Sequence, residues 1–310
     1  MAHRLNGGGL LLSCGFLGPR SFGSALPRRG SGFQVCCASG LRSAASAASA
    51  RPVFFDMLHS NNAARVRLWI DQKGLRDEIE VRTVTYPELQ SPEFCRVNPL
   101  KKVPALIRSD GGCVFESAVI LSYLEDKYSS RSPSLRPDTP EGRQLMDLMI
   151  RCHDLYVASP NCTAPGFSHS QGAMYLSTKW HGAARGMDLP ARAAKVSEIW
   201  KQLAWLDQNV TGPFLVGSEV SLADLTWFPT AVFMEFMLPH VFQWPDIFDP
   251  AVTPFPSLAT WYAQIRQQPH FAQVHTDIWG YWLRMQEEGQ FLPILEEIAN
   301  DTHGLQFRYP

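Results

Sequence analysis

Two short apolar runs, Pro104-Ala105-Leu106-Ile107 and Cys113-Val114-Phe115, flank the tetrapeptide Ser109-Asp110-Gly111-Gly112. Runs this short, joined by Asp and Gly, read as the two strands of a tight hairpin. Ser117 then stands where a helix N-cap is expected, and Ile120, Leu121, Leu124 and Tyr128 recur on one helical face. Upstream, the apolar run from Val53 to Leu58 reads as a buried strand and His59 to Asn62 as a turn. From Ala63 the pattern is helical, with Val66, Trp69 and Ile70 on one face and Gly74 as the stop. Ile79 to Val84 alternates like a half-exposed strand. Thr85 to Lys102, holding Pro87, Pro92 and Pro99, reads as a long loop. The order β-α-β, then β-β-α, describes a small sheet with helices packed on it.

Beyond a Ser- and Pro-rich linker, Ser129 to Pro140, the pattern is helical throughout. Leu145, Leu148, Met149, Cys152 and Tyr156 form one predicted stripe, with Tyr156 read as a core residue. Pro160 to Pro190 is irregular and reads as a long loop or insertion. Val196, Ile199, Leu203, Leu206 and Val210 make a second stripe. Ser221 with Asp224 three residues on is a capping-box variant that opens another helix. Two more helical stretches, Ser257 to Gln268 and His275 to Gln286, precede a weakly patterned tail over 291–310. Trp227 to Phe242 is strongly apolar, but Pro229, Glu235 and Pro239 interrupt it, so it does not read as a membrane span.

Charge separates the first fifty or so residues from the rest. Residues 1–55 hold six Arg, no Lys and no acid, so removing them from a whole-chain net of −1 leaves −7. This stretch is Arg-rich, Ser-rich and acid-free, the composition of an organelle transit peptide, and residues 1–50 are expected to be a disordered leader. Val35-Cys36-Cys37-Ala38 resembles a plastid cleavage motif, so plastid import is the expectation and mitochondrial import the rival. The apolar run Leu10 to Leu17 leaves open a signal peptide ahead of it. Four Cys beyond the leader (Cys95, Cys113, Cys152 and Cys162) form no C-x-x-C pair, and the nine His show no ligand spacing. The expectation is no metal, no disulfide framework, no nucleic-acid partner and no membrane partner.

Three spaced motifs together resemble the glutathione transferase family. Asn98-Pro99-Leu100-Lys101-Lys102-Val103-Pro104-Ala105-Leu106 resembles the segment before the family's third strand, most nearly in the theta class. Glu116-Ser117, thirteen residues beyond Val103, is similar to its Glu-Ser pair at a helix start. Phe214-Leu215-Val216-Gly217 followed by Ser221-Leu222-Ala223-Asp224 resembles its C-terminal capping segment. The resemblance implies an α/β thioredoxin-like N-terminal domain over 51–130, followed by an all-α helical C-terminal domain over 138–290.

What the resemblance implies chemically can be put residue by residue. Pro104 would follow a cis bond, so that Val103 pairs with the cysteinyl backbone of glutathione as an added strand would. Ser117 would meet the γ-glutamyl carboxylate at a helix N-terminus, Glu116 the γ-glutamyl ammonium, and Lys102 the glycine carboxylate. Ser60, 43 residues before Val103, matches the theta-class serine position, and zeta and tau transferases carry a serine followed by an Arg-Val-Arg like Arg65-Val66-Arg67. Ser60 would donate to the glutathione sulfur. Asn61-Asn62 departs from the zeta pattern, and Asn62 resembles the asparagine of nu-class transferases, so it would share that role. With no Cys at this position, glutaredoxin-like chemistry is disfavoured.

The expected function is thus a transferase that uses glutathione as co-substrate, conjugating small hydrophobic electrophiles or reducing hydroperoxides, in a homodimer. The alternatives are a non-catalytic binding or scaffold protein of the same family and a glutathione-dependent isomerase of the zeta kind.

Overall fold

The computed structural model describes residues 51–158, 174–175, 177 and 187–301, all within one compact unit, Cys36–Pro310. Residues 1–50, expected to be a leader, and most of the Pro160–Pro190 segment, with the readings attached to them, lie outside the described residues. The sheet has four strands: β1 (Val53–Asp56), β2 (Glu80–Thr83), β3 (Ala105–Ile107) and β4 (Cys113–Phe115), in the order β2-β1-β3-β4. β1 and β2 are parallel, joined through helix α1 (Asn61–Gln72). β1/β3 and β3/β4 are antiparallel. The expected hairpin is present, with Gly111 at φ 85 in its turn.

Register assigns the two faces. Phe54 stands opposite Leu106, and both join the large core with Val66 of α1 and with Ile120 of α4 (Ser117–Lys127). One residue along, Phe55 stands opposite Ala105, and both join a second cluster on the other face with Leu89, Phe94 and Val97. Those three apolar side chains sit in the stretch expected to be a loop, which instead holds two short helices, α2 (Tyr86–Leu89) and α3 (Pro92–Val97). Pro87 and Pro92 stand in the first turn of α2 and α3, after Thr85 and Ser91, where the missing N–H costs nothing. An uncovered sheet face supplies the burial that makes such short helices worthwhile.

The helical half follows the linker. It comprises α5 (Pro140–Cys152), continued by a π-helical turn over His153–Val157, then α6 (Leu189–Asn209), α7 (Leu222–Phe242), α8 (Pro256–Ile265), α9 (Pro269–Glu287) and α10 (Leu292–Ala299). α7 runs through the centre, buried on all sides, and packs against α1, α5 and α9. Pro229 and Pro239 lie inside it without ending it, because burial of nearly every side chain outweighs the lost backbone bonds. Among the described residues no helix is long and apolar enough to cross a membrane. The capping box is formed: Asp224 accepts from Ser221 N at 2.8 Å and Ser221 Oγ at 2.7 Å, and also from Leu215 N and Trp261 Nε1.

Two patterns differ from expectation. On α5 the buried positions are Met146, Met149, His153 and Val157, whereas Leu148 and Tyr156 are exposed, Tyr156 by 50%. The buried stripe runs one position later than expected from the regular part of the helix onward, so Tyr156 is a surface residue and not a core one. The tail expected after Gly289 holds α10, with Phe291 and Ile294 buried and Glu297 paired to the fully buried Arg192 of α6 at 3.0 Å.

Candidate functional site

The sheet brings the sequence-predicted residues to one end. Phe55, Ala105 and Phe115 form a row across β1, β3 and β4. Beyond that row, β1 continues into Met57–Ser60, β3 is preceded by Lys102-Val103-Pro104, and β4 leads into Glu116-Ser117. Antiparallel pairing of β3 with both neighbours is what places these three segments side by side.

At the β1 end, Ser60 is the N-cap of α1, and its Oγ accepts from Ala63 N at 3.2 Å. That bond uses an acceptor lone pair and leaves the hydroxyl hydrogen able to donate. Asn61 and Asn62, expected to belong to the turn, are instead the first two residues of α1. Asn62 is half-buried. Asn61 is buried, and neither its Nδ2 nor its Oδ1 has a hydrogen-bond partner.

At the β3 end, the Val103–Pro104 peptide bond is cis, as the resemblance implies. The preceding loop is shaped by the buried Asn98, whose Nδ2 donates to Lys102 O at 2.7 Å while its Oδ1 accepts from Leu100 N at 2.9 Å. Lys102 and Val103 are half-buried.

At the β4 end, one correction is needed. Glu116, not Ser117, holds the N-cap position of α4, at φ 68 in the left-handed region, and Ser117 is the first helical residue. The first α4 bond runs from Ile120 N to Glu116 O, so the N–H groups of Ser117, Ala118 and Val119 precede the helical ladder. Ser117 is buried and the Glu116 side chain exposed. A non-glycine residue held at positive φ is a backbone strain of the kind that clusters at binding sites.

Arg65 and Arg67, the arginines of the Arg-Val-Arg motif, make ion pairs that tie α1 to its neighbours. Arg65 pairs with Asp154 in the π-turn at 2.9 Å, and Arg67 pairs with Asp56 and, at 3.4 Å, with Asp277. His153 Nδ1 also meets Asp154 at 2.9 Å while its Nε2 meets Thr230 at 2.8 Å. Burial opposes ionisation of Asp154, yet the bond from His153 and the charge of Arg65 hold its carboxyl well below the usual carboxylate range. Burial lowers His153 despite the same bond, so its ring stays neutral. His153 is therefore a buried strut and does not face a cleft.

The geometry at the sheet end is matched by sequence likeness. Family models for the glutathione S-transferase N-terminal domain and C-terminal domain match residues 53–126 and 190–264. The chain belongs to the glutathione S-transferase family. Glutathione S-transferase L1 of Arabidopsis thaliana is 26% identical over 213 residues, covering 68% of this chain and 77% of that one. The maleylacetoacetate isomerase of Rattus norvegicus is 28% identical over 181 residues, covering 58% and 76%. Among solved structures, a glutathione S-transferase from Methylobacterium radiotolerans in complex with glutathione sulfonate shares the fold at a TM-score of 0.54 and 23% identity, covering 73% of this chain and 94% of that one. The thioredoxin-like first half and helical second half are the glutathione S-transferase architecture.

Proposed function

We propose that this member of the family binds glutathione at the end of its sheet and activates the thiol at Ser60 for attack on small hydrophobic electrophiles or hydroperoxides. The observation that carries the proposal is the convergence of Ser60, the cis Val103–Pro104 bond and the Glu116-Ser117 helix start on one sheet end. Val103 pairs with the cysteinyl backbone, Ser117 and the α4 N-terminus take the γ-glutamyl carboxylate, Glu116 takes its ammonium, and Lys102 the glycine carboxylate.

The energetics are within reach of these groups. A free thiol with pKa near ~8.5 is only a few per cent ionised at neutral pH. Lowering it by about 2 units needs roughly 2.7 kcal/mol of preference for the thiolate. A hydroxyl donated to a charged acceptor (about 1.5–3 kcal/mol) and the α1 N-terminus (about 0.3–1 kcal/mol) supply that. The proton passes to water. The thiolate then forms a sulfur–carbon bond as the leaving group departs, or attacks a peroxide oxygen, breaking the O–O bond to release an alcohol and leave a sulfenic acid, which a second glutathione converts to the disulfide with loss of water.

Replacing Ser60 by Ala should cut turnover of electrophiles and hydroperoxides while glutathione still binds. Unchanged rates would remove Ser60 from the mechanism. Retention on immobilised glutathione without turnover of any substrate would favour the non-catalytic reading. Glutathione-dependent isomerisation is the second reading, supported by the likeness to the rat isomerase, and a cis-enone dicarboxylate substrate tests it directly. Homodimerisation and import into a plastid complete the proposal. Light scattering of the mature chain tests the first. The mature N-terminus, expected near residue 38, tests the second.

A further inference from the structure

His59, the residue before Ser60, is held by an aromatic clamp from two distant elements. Its ring lies flat on Tyr281 of α9, with centroids 3.6 Å apart and planes 6° from parallel. Its Nε2 meets the Tyr86 hydroxyl of α2 at 2.9 Å. The remainder of the loop is fastened separately: Ser60 N donates to Met57 O at 2.8 Å, and Arg67 Nη2 donates to Leu58 O at 3.0 Å. His59 has no partner within its own loop, and its position is set from outside.

The clamp is built to stay in one state around neutral pH. Burial, then the charges of Arg284 and Arg67, lower His59 to about 4, so the ring is neutral. Burial keeps the Tyr281 phenol protonated, and Arg284 lies over that ring at 5.8 Å. The charged and titratable groups around His59 are therefore Arg67 of α1, Tyr86 of α2, and Tyr281 and Arg284 of α9, with Glu288 beyond Tyr281. A small error in the Ser60 hydroxyl matters, because a hydrogen bond to a developing thiolate weakens steeply with distance and angle.

We propose that Tyr281 is a positioning residue: stacked on His59, whose Nε2 is also held by the Tyr86 hydroxyl, it sets where the Ser60 hydroxyl meets the glutathione sulfur. The inference rests on the reading of Ser60 given above. A consequence is that α9 of the helical half governs thiol activation without touching glutathione.

The experiment compares wild type with Tyr281→Ala and Tyr281→Phe. Calorimetry first measures glutathione binding. The ultraviolet absorbance of bound thiolate is then titrated against pH, and kcat and KM are measured with an activated aryl halide. Removing the ring should raise the thiolate midpoint by about one pH unit and, through the smaller thiolate fraction, lower kcat about threefold near neutral pH. The KM for glutathione should move less than about twofold, since uniform binding is untouched. Phe keeps the stacked ring and should restore the wild-type midpoint. An Ala variant that titrates like wild type overturns the proposal, as does a loss that Phe fails to restore. Should Tyr281→Ala not fold, His59→Ala removes the same stack from the loop side and is read in the same way. Absence of glutathione binding in wild type would instead overturn the underlying function.

Discussion

Arg65 Nη1 donates to Asp154 Oδ1 at 2.9 Å, joining the helix behind Ser60 to the π-turn of the helical half. The Arg65 side chain is 3% exposed and that of Asp154 22%. Removing one partner of a pair this enclosed leaves an uncompensated charge. Arg65→Met is therefore expected to cost about 3–5 kcal/mol in denaturant unfolding, well beyond a surface substitution. A loss under about 1 kcal/mol would show that the pair is solvated in the folded protein.

Stability should fall with acid in two steps. The unfolded chain protonates His59 and His153 as pH drops through about 6.5. The folded chain does not, because burial lowers both, His59 to about 4. The unfolded state then binds more protons, so stability declines from about pH 6.5 toward 4. Asp154 has a depressed folded value, so its contribution is complete above about pH 4 and is lost only below it. Urea unfolding at a series of pH values checks the profile. His59→Phe, which keeps a ring on Tyr281, should flatten the upper step.

Lys73 has a fully buried side chain whose Nζ meets Glu125 Oε1 and Arg131 O, each at 3.0 Å. Glu125 also accepts from Trp69 Nε1 at 2.7 Å and Leu135 N at 3.0 Å, linking α1, α4 and the linker. Lys73→Met should cost about 3–5 kcal/mol and shift the emission of Trp69. An unaltered melting curve would contradict the pairing.

Glu116 is the opposite case. Its side chain is exposed and makes no capping bond, so Glu116→Ala should change stability by no more than about 0.5 kcal/mol. If the carboxylate takes the γ-glutamyl ammonium, losing a charge-assisted bond of about 1.5–3 kcal/mol should raise the glutathione KM tenfold or more, approximately. Parallel changes in melting temperature and KM would point to a structural role instead.

Much of this site is local and therefore readable in one dimension. A hairpin turn of Asp and Gly, a serine ahead of a helix, and a proline after Val103 act on their immediate backbone, and the β-α-β, β-β-α order follows from such signals. Positive φ at Glu116 moved the cap of α4 by one residue, because that backbone angle is imposed by the β4–α4 corner. Leu89, Phe94 and Val97 were misread inside a loop because nothing in their local pattern says that a sheet face lies open above them.

The sequence by itself determined the β-α-β, β-β-α order, which depends on turn chemistry and side-chain period, and through the resemblance of three spaced motifs it named the family and the residues gathered at the sheet end. Only the tertiary structure decided which arginines are struts, that Asn61 is buried without a partner, and that Tyr281 lies on His59. The Arg65–Asp154 and Tyr281–His59 relations join residues far apart in the chain, and they arise from packing the helical half against α1, a choice no periodicity within either segment records.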